Sequence, residues 1–520
     1  MKKWILAAMI GVTGVAACAV NPVTGKRHFQ VYGAEWEQKV GAAMYAPMKQ
    51  SQGGEFILDP ELTRYIQSVG KQLADRARRK DQLDFEFSIL NDSSPNAWAL
   101  PGGKIVINRG LLMELDSEAE LAAVLGHEIV HADAAHGASA QSKGMLTQIG
   151  AVVSRVILGS VDSKTTREVA LMVPALGAQL LTQKYSRDAE LEADEYGMLY
   201  MSEAGYNPLG AVELQEAFVE LSKSRNKNWM SGLFASHPPS RERLERNQKM
   251  ARELPEQDNF GRARYAQRTQ FLRRVQPAYD AFDEANKALS NDKLERAQDK
   301  LNEAMAIEPR ESLFHSLQGD IHALHKKPEQ ALASYQKAIN TNPDFFYAYL
   351  RKGQVEYNQD KPQAARSDLA KSVALMPTAE AHYLLGKMDK EEGNLDSSTD
   401  HFRIAAQSDS ESGHKAKREL LIQDLANNPS RYVDSRAEID ENNFIWIRFG
   451  NMTRVSMKDI EINYVWLDEQ GQTRQGRISY RGPLKGGQQD RVKTGIKLED
   501  ASDLERRIRV QITAASVAGE

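Results

Sequence analysis

A 34-residue period runs through the middle of the chain and fixes what that part can fold into. Pro309, Pro343 and Pro377 stand 34 residues apart, and Ala297, Ala331 and Ala365 keep the same step. Gly319 and Gly353 keep it as well, and Gly386 follows one residue short. Small residues at fixed places let paired helices approach closely, while a Pro cannot continue the second helix of a pair. One such pair cannot bury its apolar face alone, so copies stack. The period therefore predicts an α-solenoid of helical hairpins over residues 261–428.

This is the tetratricopeptide pattern, and its concave surface suits a peptide or protein partner. Behind it the apolar period falls to two. Phe444-Ile-Trp-Ile-Arg-Phe, Ile460-Glu-Ile-Asn-Tyr-Val-Trp, Arg477-Ile-Ser-Tyr and Ile508-Arg-Val-Gln-Ile alternate, separated by turn residues at Asp468–Gly471 and Gly486–Gly487. The alternation predicts a small antiparallel β-sandwich, Ig-like in size, over residues 429–520.

The N-terminus has a different character. Residues 1–17 read Met-Lys-Lys followed by an apolar run from Trp4 to Ala17, the layout of a secretory signal and too short for a comfortable membrane span. Cys18 is the single cysteine, so an intramolecular disulfide is impossible. Val15-Ala16-Ala17-Cys18 resembles a bacterial lipobox. That resemblance implies cleavage before Cys18, lipidation of Cys18 and a periplasmic chain held to a membrane by its lipid. Ala19, in place of an Asp, points to the outer membrane. Residues 18–55 read as a lipidated tether and a first helix. With 67 basic and 71 acidic side chains the net charge is −4, which leaves no basic excess for binding nucleic acid.

Residues 56–260 carry mixed signals, which predict a mainly helical α+β domain. Leu58, Leu62, Tyr65, Ile66, Val69 and Leu73 keep helical spacing. Phe85–Leu90 alternates as a strand, Pro101-Gly102-Gly103 is a turn, and Lys104–Asn108 is a second strand, together a small hairpin-like sheet. Ser117-Glu118-Ala119-Glu120 is a capping box that starts a helix running to Gly137. Residues 144–185 read as amphipathic helices around a mobile loop, because Arg155, Asp162, Lys164, Arg167 and Glu168 interrupt any apolar span. A further helix is expected from Arg187 to Ala204, behind Ser186.

His127-Glu128-Ile129-Val130-His131 lies within the capped helix. Residues four apart share a helix face, so both imidazoles can grip one Zn²⁺ with Glu128 beside its water. Glu128 can take that water's proton and pass it to the leaving amine. Two imidazoles and a carboxylate suit zinc best. A catalytic site needs a third protein ligand. His136 is the nearest candidate, but Ala134 and Gly137 occupy the places where the metzincin pattern requires Gly and His, so His136 reads as structural or solvated. Glu190, with Asp194 one turn further on, is the better candidate. Asp194 would then accept a hydrogen bond from a ligand imidazole. Glu192 points away from Glu190 and is the lesser candidate.

Four segments carry a wider resemblance: Asn96–Gly103, His127–His131, Ser186–Asp194 and Ser236-His237-Pro238-Pro239-Ser240-Arg241. They resemble the zinc metallopeptidase family that includes HtpX, the CAAX prenyl proteases and the periplasmic β-barrel assembly-enhancing protease. The resemblance spans roughly residues 20–260, and the repeats behind it match the last of these in plan. It implies one Zn²⁺ per chain on His127, His131 and Glu190, catalysis by Glu128, and help in proton transfer from Asp194, although geometry favours an orienting role. It also implies that His237 can occupy the open metal position as an inhibitory fourth ligand; a helix-capping role before Arg241 stands beside that. Asn96 to Ile107, with Gly103 and Ile105 between them, reads as an edge strand for an extended substrate peptide. The terminal β domain is absent from that family's plan. The expected activity is hydrolysis of peptide bonds in misfolded or stalled envelope proteins, with the repeats recruiting substrate or outer-membrane assembly machinery. The alternative is an adaptor or chaperone-like protein with a latent zinc site.

Overall fold

The computed structural model describes residues 18–147, 185–223, 232–468, 470–498 and 504–518. The expected leader at 1–17, and nearly all of the amphipathic segment expected at 144–185, lie outside the described residues. The chain divides into two compact units, Met1–Pro377 and Thr378–Glu520. Among the described residues no helix is long and apolar enough to cross a membrane.

The first unit begins with a short hairpin, β1 (Cys18–Val20) against β2 (Arg27–Phe29). Then come α1 (Ala34–Ser51), α2 (Pro60–Ala74) and three strands, β3 (Glu86–Leu90), β4 (Ala97–Leu100) and β5 (Lys104–Asn108). The expected hairpin of β3 and β5 is corrected here: the two strands pair parallel, in the order β3-β5-β4. The physical reason is β4, which inserts between them in sequence and takes the antiparallel place through Pro101-Gly102-Gly103. Both glycines have positive φ, 85° and 89°, which other residues resist. The order also corrects the edge-strand expectation. Ile105 and Ile107 sit in the central strand, bonded on both sides and buried, whereas β4 beside Asn96 holds the free edge.

Helices α3 (Arg109–Glu114), α4 (Glu118–Asp133), α5 (His136–Thr147), α6 (Arg187–Glu203), α7 (Leu209–Lys223), α8 (Leu233–Ser236) and α9 (Arg241–Glu253) complete the peptide around the sheet. The Ser117 hydroxyl accepts the Glu120 amide at 3.1 Å, as the capping box predicts. Glu120 reaches back one residue further than expected, to the Asp116 amide at 2.7 Å. At its other end α4 stops at Asp133, short of Gly137. Buried contacts impose that stop. The Asp133 carboxylate accepts the Arg78 and Arg79 amides, each at 2.8 Å, and the Tyr200 hydroxyl. The Arg79 guanidinium takes the terminal carbonyls of Ala132 and Asp133 and pairs with Glu37, placing a cation at the negative end of the helix.

Helices α4 and α6 meet through glycine. A Cβ on Gly126 would lie 3.0 Å from the Gly197 carbonyl oxygen, and one on Gly197 would lie 2.9 Å from the His127 nitrogen. The backbones therefore touch directly, one residue from the first histidine of the motif.

After α10 (Arg262–Arg268) the repeats follow as α11 (Gln270–Leu289) with α12 (Leu294–Ile307), α13 (Ser312–Leu324) with α14 (Pro328–Thr341), and α15 (Phe346–Asn358) with α16 (Pro362–Leu375). The repeated glycines serve close packing: Gly319 receives the Tyr335 ring and Gly353 the Leu369 side chain, where a Cβ would clash. One hydrophobic core runs from Leu62 and Leu125 through Tyr265 to Phe314, so the first repeats share their interior with the helices around the sheet.

The second unit opens with α17 (Ala379–Glu391), α18 (Leu395–Ala405) and α19 (Glu411–Asn427). Gly386 receives the Phe402 ring, as its counterparts do. Two three-stranded antiparallel sheets follow. One orders β10 (Gln489–Lys497), β7 (Phe444–Asn451) and β6 (Val433–Ile439); the other orders β11 (Ile508–Val517), β8 (Met457–Leu467) and β9 (Thr473–Tyr480). Val433, Ile447 and Phe449 from the first share a core with Ile460, Ile462 and Ile512 from the second.

Candidate active site

His127 and His131 project from one face of α4, and Glu190 projects towards them from α6, whose start is capped by the Ser186 hydroxyl on the Ala189 amide. His237, directly after α8, completes the group. One ligand atom from each of His127, His131, Glu190 and His237 lies within 4.8 Å of every other. His237 does not cap the next helix; the Ser240 hydroxyl does, accepting the Arg243 amide at 3.2 Å.

The ring nitrogens settle which atoms can meet a metal. Asp194 accepts from His127 Nδ1 at 3.0 Å, which leaves the Nε2 lone pair free. His136 Nε2 donates to Glu192 at 3.2 Å, so its Nδ1 accepts from His131 Nδ1 at 3.0 Å, and His131 Nε2 is free in turn. The two free Nε2 atoms stand 3.0 Å apart. From Glu190 they lie 3.7 and 3.4 Å away. His237 Nδ1 lies 3.2 Å from His127 Nε2 and 3.0 Å from Glu190. A tetrahedron with zinc-to-ligand arms near 2.0–2.1 Å has edges of about 3.3 Å, so these donors fit a zinc ion. The buried Glu190 Oε2 supports the fit: Arg243 Nη1 lies 2.8 Å from it, yet off the line of a hydrogen bond.

Residues 60–251 match the family described as Peptidase family M48. The mitochondrial metalloendopeptidase OMA1 of Schizosaccharomyces pombe is 29% identical over 259 residues, 49% of this chain and 72% of its own. The β-barrel assembly-enhancing protease of Escherichia coli K12 is 27% identical over 330 residues, 57% of this chain and 67% of its own. Among solved structures, MamA 41-end from Desulfovibrio magneticus RS-1 covers 30% of this chain and 88% of its own at 22% identity, with a TM-score of 0.26. That match takes in His127, His131, Glu190, His237 and Arg243. The chain is a metallopeptidase.

Charge within the site is held by partners. Burial opposes ionisation of Glu190, but the His237 charge and hydrogen bonds from His131 and His237 hold its carboxyl well below the usual range. Burial likewise opposes ionisation of Asp194, and the Arg243 guanidinium overrides it, keeping that carboxyl low. Burial drives His131 well below its usual value. For His237 burial also acts downward, and the Glu190 and Glu128 carboxylates outweigh it, so the imidazole is raised.

Arg243, Tyr185 and Asn21 escaped the sequence reading, while His136 and Glu192 were weighed there only as possible ligands. Arg243 grips Asp194 with Nε at 2.6 Å and Nη2 at 2.7 Å. His136, expected to be structural or solvated, is 8% exposed and bonded to His131, because the early end of α4 turns it inward. Glu192 indeed points away from Glu190, and its role is to hold His136 while accepting from Asn21 Nδ2 at 2.5 Å. A polar chain thus runs from the N-terminal hairpin to the second histidine of the motif. Tyr185 stacks on the His131 ring at 3.9 Å between centres. Of Arg243, Tyr185 and Asn21, only Arg243 left a trace in the sequence, three residues beyond the helix cap Ser240.

A cavity of about 50 Å³ opens beside Glu128, lined by Val124, Asp194, Leu214, Phe218 and Leu233. It has room for water but not for a peptide. His237 Nε2 stands 3.6 Å from Glu128 Oε1 and its Nδ1 3.0 Å from Glu190, so the imidazole lies between these two carboxylates.

Proposed function

We propose that the chain is a zinc-dependent endopeptidase of the bacterial periplasm, lipid-anchored at Cys18 to the outer membrane, that cleaves misfolded or stalled envelope proteins. The observation that carries this reading is the convergence of His127, His131 and Glu190 with Glu128 at their side. His127, His131 and Glu190 would hold one zinc ion per chain, which when bound polarises the scissile carbonyl and lowers the pKa of the attacking water. Glu128 does the proton work. Its carboxylate is buried, and Oε2 has no hydrogen-bond partner among the described residues, so it is free to take the proton of the attacking water and deliver it to the departing amine. Asp194 works through His127, keeping its proton on Nδ1, with Arg243 fixing the carboxylate.

His237 blocks the place where water and substrate must stand, so this arrangement is a latent enzyme that opens when the segment at 236–240 withdraws. The free edge of β4 would then pair with an extended substrate, which gives backbone affinity with little sequence preference. Residues 56–260 form the peptidase domain in this reading. Residues 261–428 are the repeats that recruit substrate or outer-membrane assembly machinery, as the name of the Escherichia coli relative invites. Residues 429–520 form a β-sandwich domain.

The presence of His237 among the donors also favours a second reading, in which four protein ligands make a structural site and the repeats act as an adaptor. Metal content and casein proteolysis of the chain from Ala19 onward separate the two. One zinc per chain, with cleavage lost in Glu128→Gln and raised in His237→Ala, is the expected result. Zinc without cleavage in any variant, and unchanged cellular function in Glu128→Gln, would establish the adaptor.

A further inference from the structure

The outward face of the β6–β7–β10 sheet gathers cations over aromatic rings. Side chains alternate across a strand, so the registers Arg436–Arg448–Arg491 and Glu438–Trp446–Lys493 place these six residues on one face. Ile445, Ile447 and Phe449 between them enter the core. Arg491 lies 4.8 Å from the Trp446 ring centre, and Lys493 lies 3.7 Å from that of Phe444. Lys497 lies 6.0 Å from Phe444. Trp446 is anchored by its own Nε1, which donates to Asp440 Oδ2 at 2.9 Å. The carboxylate at the centre of the face, Glu438, is shared by Arg436 at 3.0 Å and Arg448 at 2.9 Å. Asp434 stands at the end of β6. Arg491, Lys493 and Lys497 are exposed; Lys493 acts on the Asp440 carboxylate from a distance, and Arg491 and Lys497 have no carboxylate partner among the described residues. On the other sheet most cations have a carboxylate: Arg474 pairs with Asp468, and Arg477 and Arg481 share Glu461.

We propose that this face docks on an anionic membrane surface through the phosphates of acidic phospholipids. Charge complementarity selects an anionic partner, and guanidinium groups meet phosphate oxygens two at a time. Geometry then selects a plane. The five cations spread over three strands, each about 4.8 Å from the next, so a sheet of headgroups meets all five, while an extended acidic peptide along β10 would meet three and leave Arg436 and Arg448 aside. Trp446, apolar in body and polar at one edge, suits the headgroup level of a bilayer. The lipobox-like Val15–Cys18 independently places the chain beside a membrane. This docking does not depend on the peptidase reading.

Co-sedimentation of the chain from Ala19 onward with vesicles tests it, since neither leader nor lipid then contributes. Vesicles of phosphatidylcholine mixed with phosphatidylglycerol are expected to bind the chain, vesicles of phosphatidylcholine alone to bind it poorly, and added salt to release it. Each basic residue near an acidic leaflet strengthens binding by about fivefold, so the combined Arg491→Gln, Lys493→Gln and Lys497→Gln variant should bind about 100-fold more weakly. Lys458→Gln, Arg474→Gln and Arg509→Gln together, on the other sheet, should leave binding within about threefold while removing equal charge. Circular dichroism melting of both variants establishes that they fold. Equal binding to both kinds of vesicle, or equal loss in the two triple variants, overturns the proposal. So does tight binding of a polyglutamate peptide, lost in the first variant, with no vesicle binding; that result transfers the face to an acidic protein partner.

Discussion

The peptidase centre and the outward face of the terminal sheet both set charged side chains against rings, under opposite rules. In the centre, His131 is 2% exposed and Glu190 3%, and each imidazole of the motif has a partner that leaves it one orientation: Asp194 for His127, His136 for His131. On the sheet, Arg491 and Lys493 are exposed and lie over aromatic rings. A buried polar group that loses its partner bears the whole desolvation cost, while an exposed one turns to water. The difference shows what burial contributes: it converts a set of contacts into a geometry. The centre is built to hold distances, and the face to hold charge density.

That contrast can be broken or sharpened by substitution. The largest effect belongs to Glu128→Gln in a His237→Ala background, where peptide hydrolysis should fall about 10²–10⁴-fold with zinc content unchanged. Loss of zinc together with activity would make Glu128 a structural residue. Asp194→Asn should lower zinc affinity or turnover by about 10–100-fold, read by chelator competition and by assay. A change no larger than that of Arg491→Gln would erase the distinction between the two regions. Gly197→Val should destabilise the fold by about 1–3 kcal/mol, because its side chain would enter the backbone of α4. Thermal melting measures it, and an unchanged midpoint would mean that the helices are free to part. The smallest effect is that of Arg491→Gln, which should shift stability by less than about 0.5 kcal/mol and leave proteolysis untouched.

What the sequence disclosed was local. The Ser117 cap, the start of α6 behind Ser186 and the 34-residue period each depend on residues within a turn or a hairpin of one another, and such signals lie side by side in the chain. The support of His131 does not. It passes to His136, then to Glu192, then back to Asn21, and no spacing rule joins those positions. The early end of α4 was hidden for the same reason, since Arg79 and Asp133 meet only in the folded chain. The parallel pairing of β3 with β5 was masked by β4, four residues long and read together with β5 as one edge stretch from Asn96 to Ile107. Strands β6 and β10 went unread because charged residues crowd the outward positions and few large apolar ones mark the inward positions.

If His127, His131 and Glu190 hold the ion proposed above, the contact between Gly126 and Gly197 bears on which ions they would accept. The gap between the two ligand-bearing helices is gauged by main chain against main chain, with no compressible side chain in it. Exchanging neighbouring core residues therefore cannot widen or narrow the seat. A cation that prefers longer bonds would have to bend a helix to be held by all three protein donors, and the stiffness of α4, capped at Ser117 and clamped at Asp133, opposes that bend. Discrimination by size would then come from two atoms that are not there, and adaptation to another metal would have to begin by giving one of these glycines a side chain.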